Sequence, residues 1–255
     1  AAAHRLVVVA VPADDDDWDL AAYAAATDRL VLMTYDQHSP ATDPGPVAGQ
    51  GWFVARMDRA LAKVPAGKLI VGVANYSYDW TAPANAEARS NEEAWMIAHD
   101  SDAPVRFDRA SGNTTFAYAE NGVPHTVWMA DAATAWNQLR AADAKGVAGV
   151  ALWRLGSEDA GYWKALRASR GTTPPDLRRI DTVGNVDVEG NGELLRIDDV
   201  PTPGLRALTT DARGVIVDEI FRALPTPYVV RRSGYHPGEI ALTFDDGPDP
   251  QWTPQ

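Results

Sequence analysis

Short apolar runs alternate with longer stretches of helical period over the first two-thirds of the chain. Arg5–Val11, Arg29–Thr34, Lys68–Ala74 and Val147–Trp153 are dominated by Val, Leu, Ile and Ala without strict polar alternation. That pattern predicts strands buried on both faces. Helices are predicted at Trp18–Thr27, Trp52–Lys63, Asn91–Asp100, Asp131–Lys145 and Asp159–Ser169. The fourth has Asp131 at its start and Gly146 just past its end, a capped helix. Between the third strand and the fourth, Gly112-Asn113 and Asn121-Gly122 predict hairpins within 105–128.

Strand and helix thus alternate in four units, the order of a parallel α/β architecture. Four units make half of a (β/α)8 barrel. In each, the unusual residues follow the strand, where barrel enzymes keep their chemistry. Tyr35-Asp36 follows the second strand, and Tyr76, Tyr78, Asp79 and Trp80 follow the third. After Thr172-Thr173-Pro174-Pro175, a linker by composition, the chain becomes rich in Val, Ile, Thr, Gly and Asp. Runs such as Glu193–Ile197, Gly214–Val217 and Tyr228–Arg231 predict a β-rich connecting region. The expected divisions are 1–171, 172–237 and 238–255.

Composition narrows the function. The 255 residues carry 35 Asp and Glu against 23 Lys and Arg, a formal net charge of −12. Nothing offsets phosphate repulsion, so nucleic acid is disfavoured as a partner. No run of about 18 apolar residues predicts a membrane segment. Cys is absent, which removes disulfide and thiolate chemistry. The Asp14–Asp17 run predicts a solvated loop and helix N-terminus, not a metal site. Nine Trp and eight Tyr offer flat apolar rings of the kind on which sugar faces stack.

Three motifs carry a resemblance. Met33-Thr34-Tyr35-Asp36, Trp128-Met129-Ala130-Asp131 and Gly149-Val150-Ala151-Leu152-Trp153 occur in this order. Together they resemble family 18 glycoside hydrolases, the chitinase-like enzymes, over roughly residues 5–170. The resemblance implies the C-terminal half of a (β/α)8 TIM barrel with a small α+β insertion, needing no cofactor. It implies hydrolysis of N-acetylglucosamine-containing polysaccharide, chitin-like or peptidoglycan-like, with the substrate's own acetamido group as nucleophile. Tyr35 and Asp36 would orient that group and stabilise the oxazolinium charge, Trp153 would stack under the sugar, and Met33 would line the pocket. Tyr76 and Tyr78 are candidate groove residues. The family's Asp-x-x-Asp-x-Asp-x-Glu motif, which carries its catalytic acid, is not found in the chain. The expectation is therefore a piece that does not hydrolyse alone. The rival reading is a non-catalytic glycan-binding or scaffolding barrel.

At the other end, Thr243-Phe244-Asp245-Asp246-Gly247-Pro248 resembles the opening of a polysaccharide deacetylase (NodB-homology) domain. The resemblance implies Asp245 as general base, Asp246 as ligand of a divalent metal such as zinc, and Ile240-Ala241-Leu242 as that domain's first strand. The His-x-x-x-His ligands of that family do not follow, so the metal site is incomplete here. The parent protein would join the two chemistries, acting outside the cell or in its envelope.

Overall fold

The computed structural model describes residues 5–182, 184–240 and 251. Asp245 and Asp246 lie outside them. Two compact units form: Ala1–Asn185 with Pro201–Pro227, and Val186–Val200 with Tyr228–Gln255.

The first unit is built on β1 (Val8–Pro12), α1 (Leu20–Ala26), β2 (Arg29–Met33), α2 (Gln50–Leu61) and β3 (Leu69–Ala74). An insertion follows: β4 (Ser77–Ala82), β5 (Asn85–Arg89), α3 (Asn91–Asp100), β6 (Arg106–Asp108), β7 (Asn113–Glu120) and β8 (Val123–Met129). Then come α4 (Ala132–Ala144), β9 (Gly149–Trp153), α5 (Gly161–Ala168) and β10 (Arg179–Ile180). The remaining strands are β11 (Val186–Gly190), β12 (Leu194–Asp199), β13 (Gly204–Thr210), β14 (Ile216–Ala223) and β15 (Tyr228–Ser233).

The continuous apolar runs pair as expected. They make a parallel four-stranded sheet in the order β1-β2-β3-β9. Leu30, Leu32, Leu69 and Val71 are buried against Phe53 and Met57 of α2 and Trp136 and Leu139 of α4. Helix starts follow the local chemistry. Asp19 caps α1 by accepting from Ala21 and Ala22 N–H, and Ser90 with Glu93 forms a capping box on α3. The acidic loop is not simply solvated. Asp14 accepts from Trp52 Nε1 and pairs with Arg56, and Asp16 pairs with Arg59, which ties the loop to α2.

The insertion is an antiparallel sheet in the order β5-β4-β8-β7-β6, with α3 packed on it. The Asn121-Gly122 turn joins β7 to β8 with both residues at positive φ, 52° and 81°, as a two-residue hairpin requires. Tyr76–Trp80, expected simply to follow a strand, run into a strand of their own, Ser77–Ala82. Its alternation sends Tyr78 and Trp80 into one apolar cluster with Tyr76. Asp79, on the other face, accepts from Tyr118 Oη at 2.7 Å and lies 2.9 Å from His125 Nδ1.

Segment 201–227 belongs to the same compact unit as the parallel sheet. Strands β10, β13 and β14 make a small antiparallel sheet. Its hairpin covers α4: Trp136 Nε1 donates to Gly214 O at 2.8 Å, and Asn137 exchanges two 2.8 Å bonds with the Ile216 backbone. This explains a helix buried on every side over 132–139, which is Ala-rich where neighbours approach and whose Trp136, Asn137 and Gln138 donate to backbone carbonyls. The second unit is the sheet β11-β15-β12, where Val188, Val230 and Ile197 sit in one register row.

Candidate active site

The site forms where β2, β3 and β9 end. Thr34, just past β2, is buried and donates from Oγ1 to Gly72 O at 2.5 Å, tying β2 to β3. Gly72 is required by close approach: a Cβ there would lie 2.8 Å from Tyr35 Cε1 and 3.0 Å from Leu32 O. The Tyr35 ring therefore lies over a position without a side chain. The next residue, Asp36, takes φ 61°, a left-handed conformation that Asp tolerates better than most non-Gly residues. Asp36 itself is exposed.

Two phenols converge on this carboxylate. Tyr76 and Tyr78 are both buried, and both donate to Asp36 Oδ1, Tyr78 at 2.9 Å. Burial first, and the Asp36 charge second, push both hydroxyls well above the usual tyrosine range. They stay protonated and remain donors at any working pH. The same two causes raise Tyr35. Edge-on contacts of 5.3 Å between Tyr76 and Tyr78 and 5.4 Å between Tyr78 and Trp80 extend the aromatic row. Trp80 Nε1 anchors it on Thr42 O at 3.1 Å.

Trp153 closes β9 and is 50% exposed. It stacks on Tyr35 with centroids 5.8 Å apart and planes 14° from parallel. The stack leaves Trp153 half exposed as an apolar face near the Asp36 carboxylate, suited to a ligand with one apolar face and hydrogen-bonding edges.

Tyr35, Asp36, Tyr76, Tyr78 and Trp153 are thus brought together, with Met33 half-buried at the end of β2. Tyr76 and Tyr78, expected in a groove, are buried and hold Asp36 through their hydroxyls. Asp245 and Asp246 lie outside the described residues. Among the described residues, no group of three or more His, Asp or Glu is arranged to hold a metal ion. Asn75 belongs to none of the sequence motifs. It is buried, and its N–H donates to Trp153 O at 3.0 Å, joining two strand ends that carry site residues. Its one signal was an amide ending an apolar run.

The fold and site define a parallel α/β protein with its polar chemistry gathered at the strand C-termini. Residues 1–159 match the model of glycosyl hydrolases family 18, and the chain belongs to that family. It is 32% identical over 176 residues to an uncharacterized glycosylase, YvbX, of Bacillus subtilis, covering 64% of this chain and 51% of the relative. It is 30% identical over 155 residues to the cortical fragment-lytic enzyme of Bacillus subtilis, covering 58% and 36%. Among solved structures, a chitinase from Chromobacterium violaceum aligns with a TM-score of 0.61 at 34% identity, over 64% of this chain and 55% of that one. The chain spans about half or less of the length of the curated relatives it matches. The family match ends at residue 159, short of Thr243–Pro248.

Proposed function

We propose that this chain contributes the acetamido-gripping part of a glycosidase acting on N-acetylglucosamine-containing polysaccharide, and that its sheet is the C-terminal half of a (β/α)8 barrel. The observation that carries the reading is the convergence of Tyr35, Asp36, Tyr76, Tyr78 and Trp153 at the ends of three adjacent parallel strands. Asp36 Oδ1 is occupied by two phenols, which leaves Oδ2 to face a ligand. There it accepts the acetamido N–H and turns the carbonyl oxygen toward the anomeric carbon. As that carbon–oxygen bond forms, the glycosidic carbon–oxygen bond breaks, its electron pair leaves with the leaving oxygen, and positive charge spreads over the oxazolinium ring. The fixed negative charge of Asp36 stabilises it without reorganisation. Tyr35 helps Asp36 orient the acetamido group, and Trp153 stacks under the sugar face. Protonation of the leaving oxygen falls to a carboxyl outside the site described.

The cortical fragment-lytic enzyme and the chitinase to which the chain is similar support a peptidoglycan-like or chitin-like substrate. Such substrates support action outside the cell or in its envelope. Asp245-Asp246 supports a linked metal-dependent deacetylation in the parent protein. A specific observation favours the glycan-binding alternative for this chain alone: it has no Asp-x-x-Asp-x-Asp-x-Glu motif.

The test is titration of tryptophan fluorescence with N-acetylchitotetraose, a muropeptide and cellotetraose. The expected result is saturable binding of the acetylated ligands only, lost in Asp36→Ala. Equal binding of cellotetraose, or no effect of Asp36→Ala, would sink the assignment.

A further inference from the structure

Asp131 and Asp159 stand at the starts of α4 and α5, and both carboxylates are buried. Asp131 Oδ1 accepts from Ala133 and Thr134 N–H at 3.0 and 3.1 Å. Asp159 Oδ1 accepts from Gly161 N–H at 2.7 Å, and its Oδ2 from Ala132 N–H at 3.2 Å. The positive ends of both helices offset part of this charge. Two carboxylates out of water still need a counter-ion. It arrives from β13, beyond the family match. The Arg206 side chain has no exposed surface, and its Nη1 and Nη2 lie 3.0 and 3.3 Å from Asp131 Oδ2 and Asp159 Oδ2. Its Nε donates to Leu177 O at 2.7 Å, so the fork has one orientation.

From the two aspartates the contacts lead directly to the site. Asn75 Nδ2 donates to Asp131 O at 2.8 Å, and Asn75 Oδ1 accepts from Asp159 N–H at 2.6 Å. Both ends of this amide are therefore gripped by the residues that Arg206 holds. Asn75 N–H is bonded to the Trp153 carbonyl. The next residue is Tyr76, whose hydroxyl donates to Asp36.

We propose that Arg206 is a positioning residue of the glycan site: it fixes Asp131 and Asp159 on Asn75, and Asn75 sets Tyr76 and Trp153. The hairpin of β13 and β14 is then part of the site's machinery and not a spacer after it. The functional consequence rests on the glycan reading above, while the placement of Asn75 and Tyr76 does not.

The test uses the 255-residue chain with Arg206→Lys and Arg206→Met. Lysine keeps the charge but cannot span two aspartates and the Leu177 carbonyl. Two readouts are taken at a temperature where circular dichroism shows the native fold: the NMR signals of the Asn75 side-chain amide and the Tyr76 N–H, and N-acetylchitotetraose affinity. Both variants are expected to move both signals and to weaken binding about tenfold. Arg206→Lys combined with Asn75→Ala should cost less than the sum of the two. A merely structural role would lower the melting temperature and leave the signals and the affinity unmoved, and that result overturns the proposal. Should Arg206→Met fail to fold, Arg206→Lys decides by the same readouts. If the wild-type chain binds no tetramer, the glycan reading fails, and moved or unmoved amides still support or overturn the placement.

Discussion

Replacing Tyr76 and Tyr78 with Phe, singly and together, tests whether the phenols govern the site through Asp36. Each change removes one hydroxyl and leaves the ring. A hydrogen bond to a charged acceptor contributes about 1.5–3 kcal/mol. Two features of the site scale that figure. Asp36 is exposed, so water can take a vacated lone pair, which pushes each loss toward about 1 kcal/mol. Both phenols meet on one oxygen, so either alone still orients the carboxylate. Single variants should therefore weaken N-acetylchitotetraose binding roughly fivefold. The double variant, with Oδ1 freed, should lose at least about 2–3 kcal/mol, roughly 30- to 150-fold. Isothermal titration calorimetry measures both. A double variant binding within about twofold of wild type, while Asp36→Ala abolishes binding, would refute the cradle and leave the phenols as packing.

Gly72→Ala places a methyl against Tyr35 and the Leu32 carbonyl, so it should tilt the Tyr35–Trp153 stack and weaken glycan binding with little change in fold, checked by near-ultraviolet circular dichroism. Gly161→Ala puts a Cβ 2.7 Å from Ala132 Cβ, and overpacking of this kind should cost about 1–3 kcal/mol in urea denaturation. Glu219 makes a pH prediction. Burial first, and Asp131 second, push its carboxyl well above the usual range although Arg206 pulls it down. An acid raised on folding stabilises the native state at acid pH, and that contribution is lost as pH rises from the unfolded toward the folded value. Glu219→Gln, neutral and isosteric, should therefore gain on wild type in melting temperature as pH goes from about 4 to 8. A constant difference across that range would contradict the assignment.

Much of the layout was legible because it is local. A continuous run such as Leu30–Leu32 must be covered on both faces, and Asp131 ahead of an Ala-rich helix is a cap wherever it lies. Asn121-Gly122 specified its turn through backbone sterics alone. Met33-Thr34-Tyr35-Asp36 pointed to the family before any contact was known. Other features depend on which segments meet. Ser77–Ala82 became a strand because β5 and β8 flank it on either side. Tyr76 and Tyr78 turned onto Asp36, some 40 residues earlier, because β2 and β3 are neighbours in the sheet. Arg206 reached Asp131 across 75 residues because the hairpin of β13 and β14 closes over α4. Periodicity and capping report interactions within a few residues, where the backbone fixes the geometry. The burial of a charge and the choice of its partner are decided by packing between distant segments, so only the tertiary structure determined that a cation from the connecting region sits behind the site.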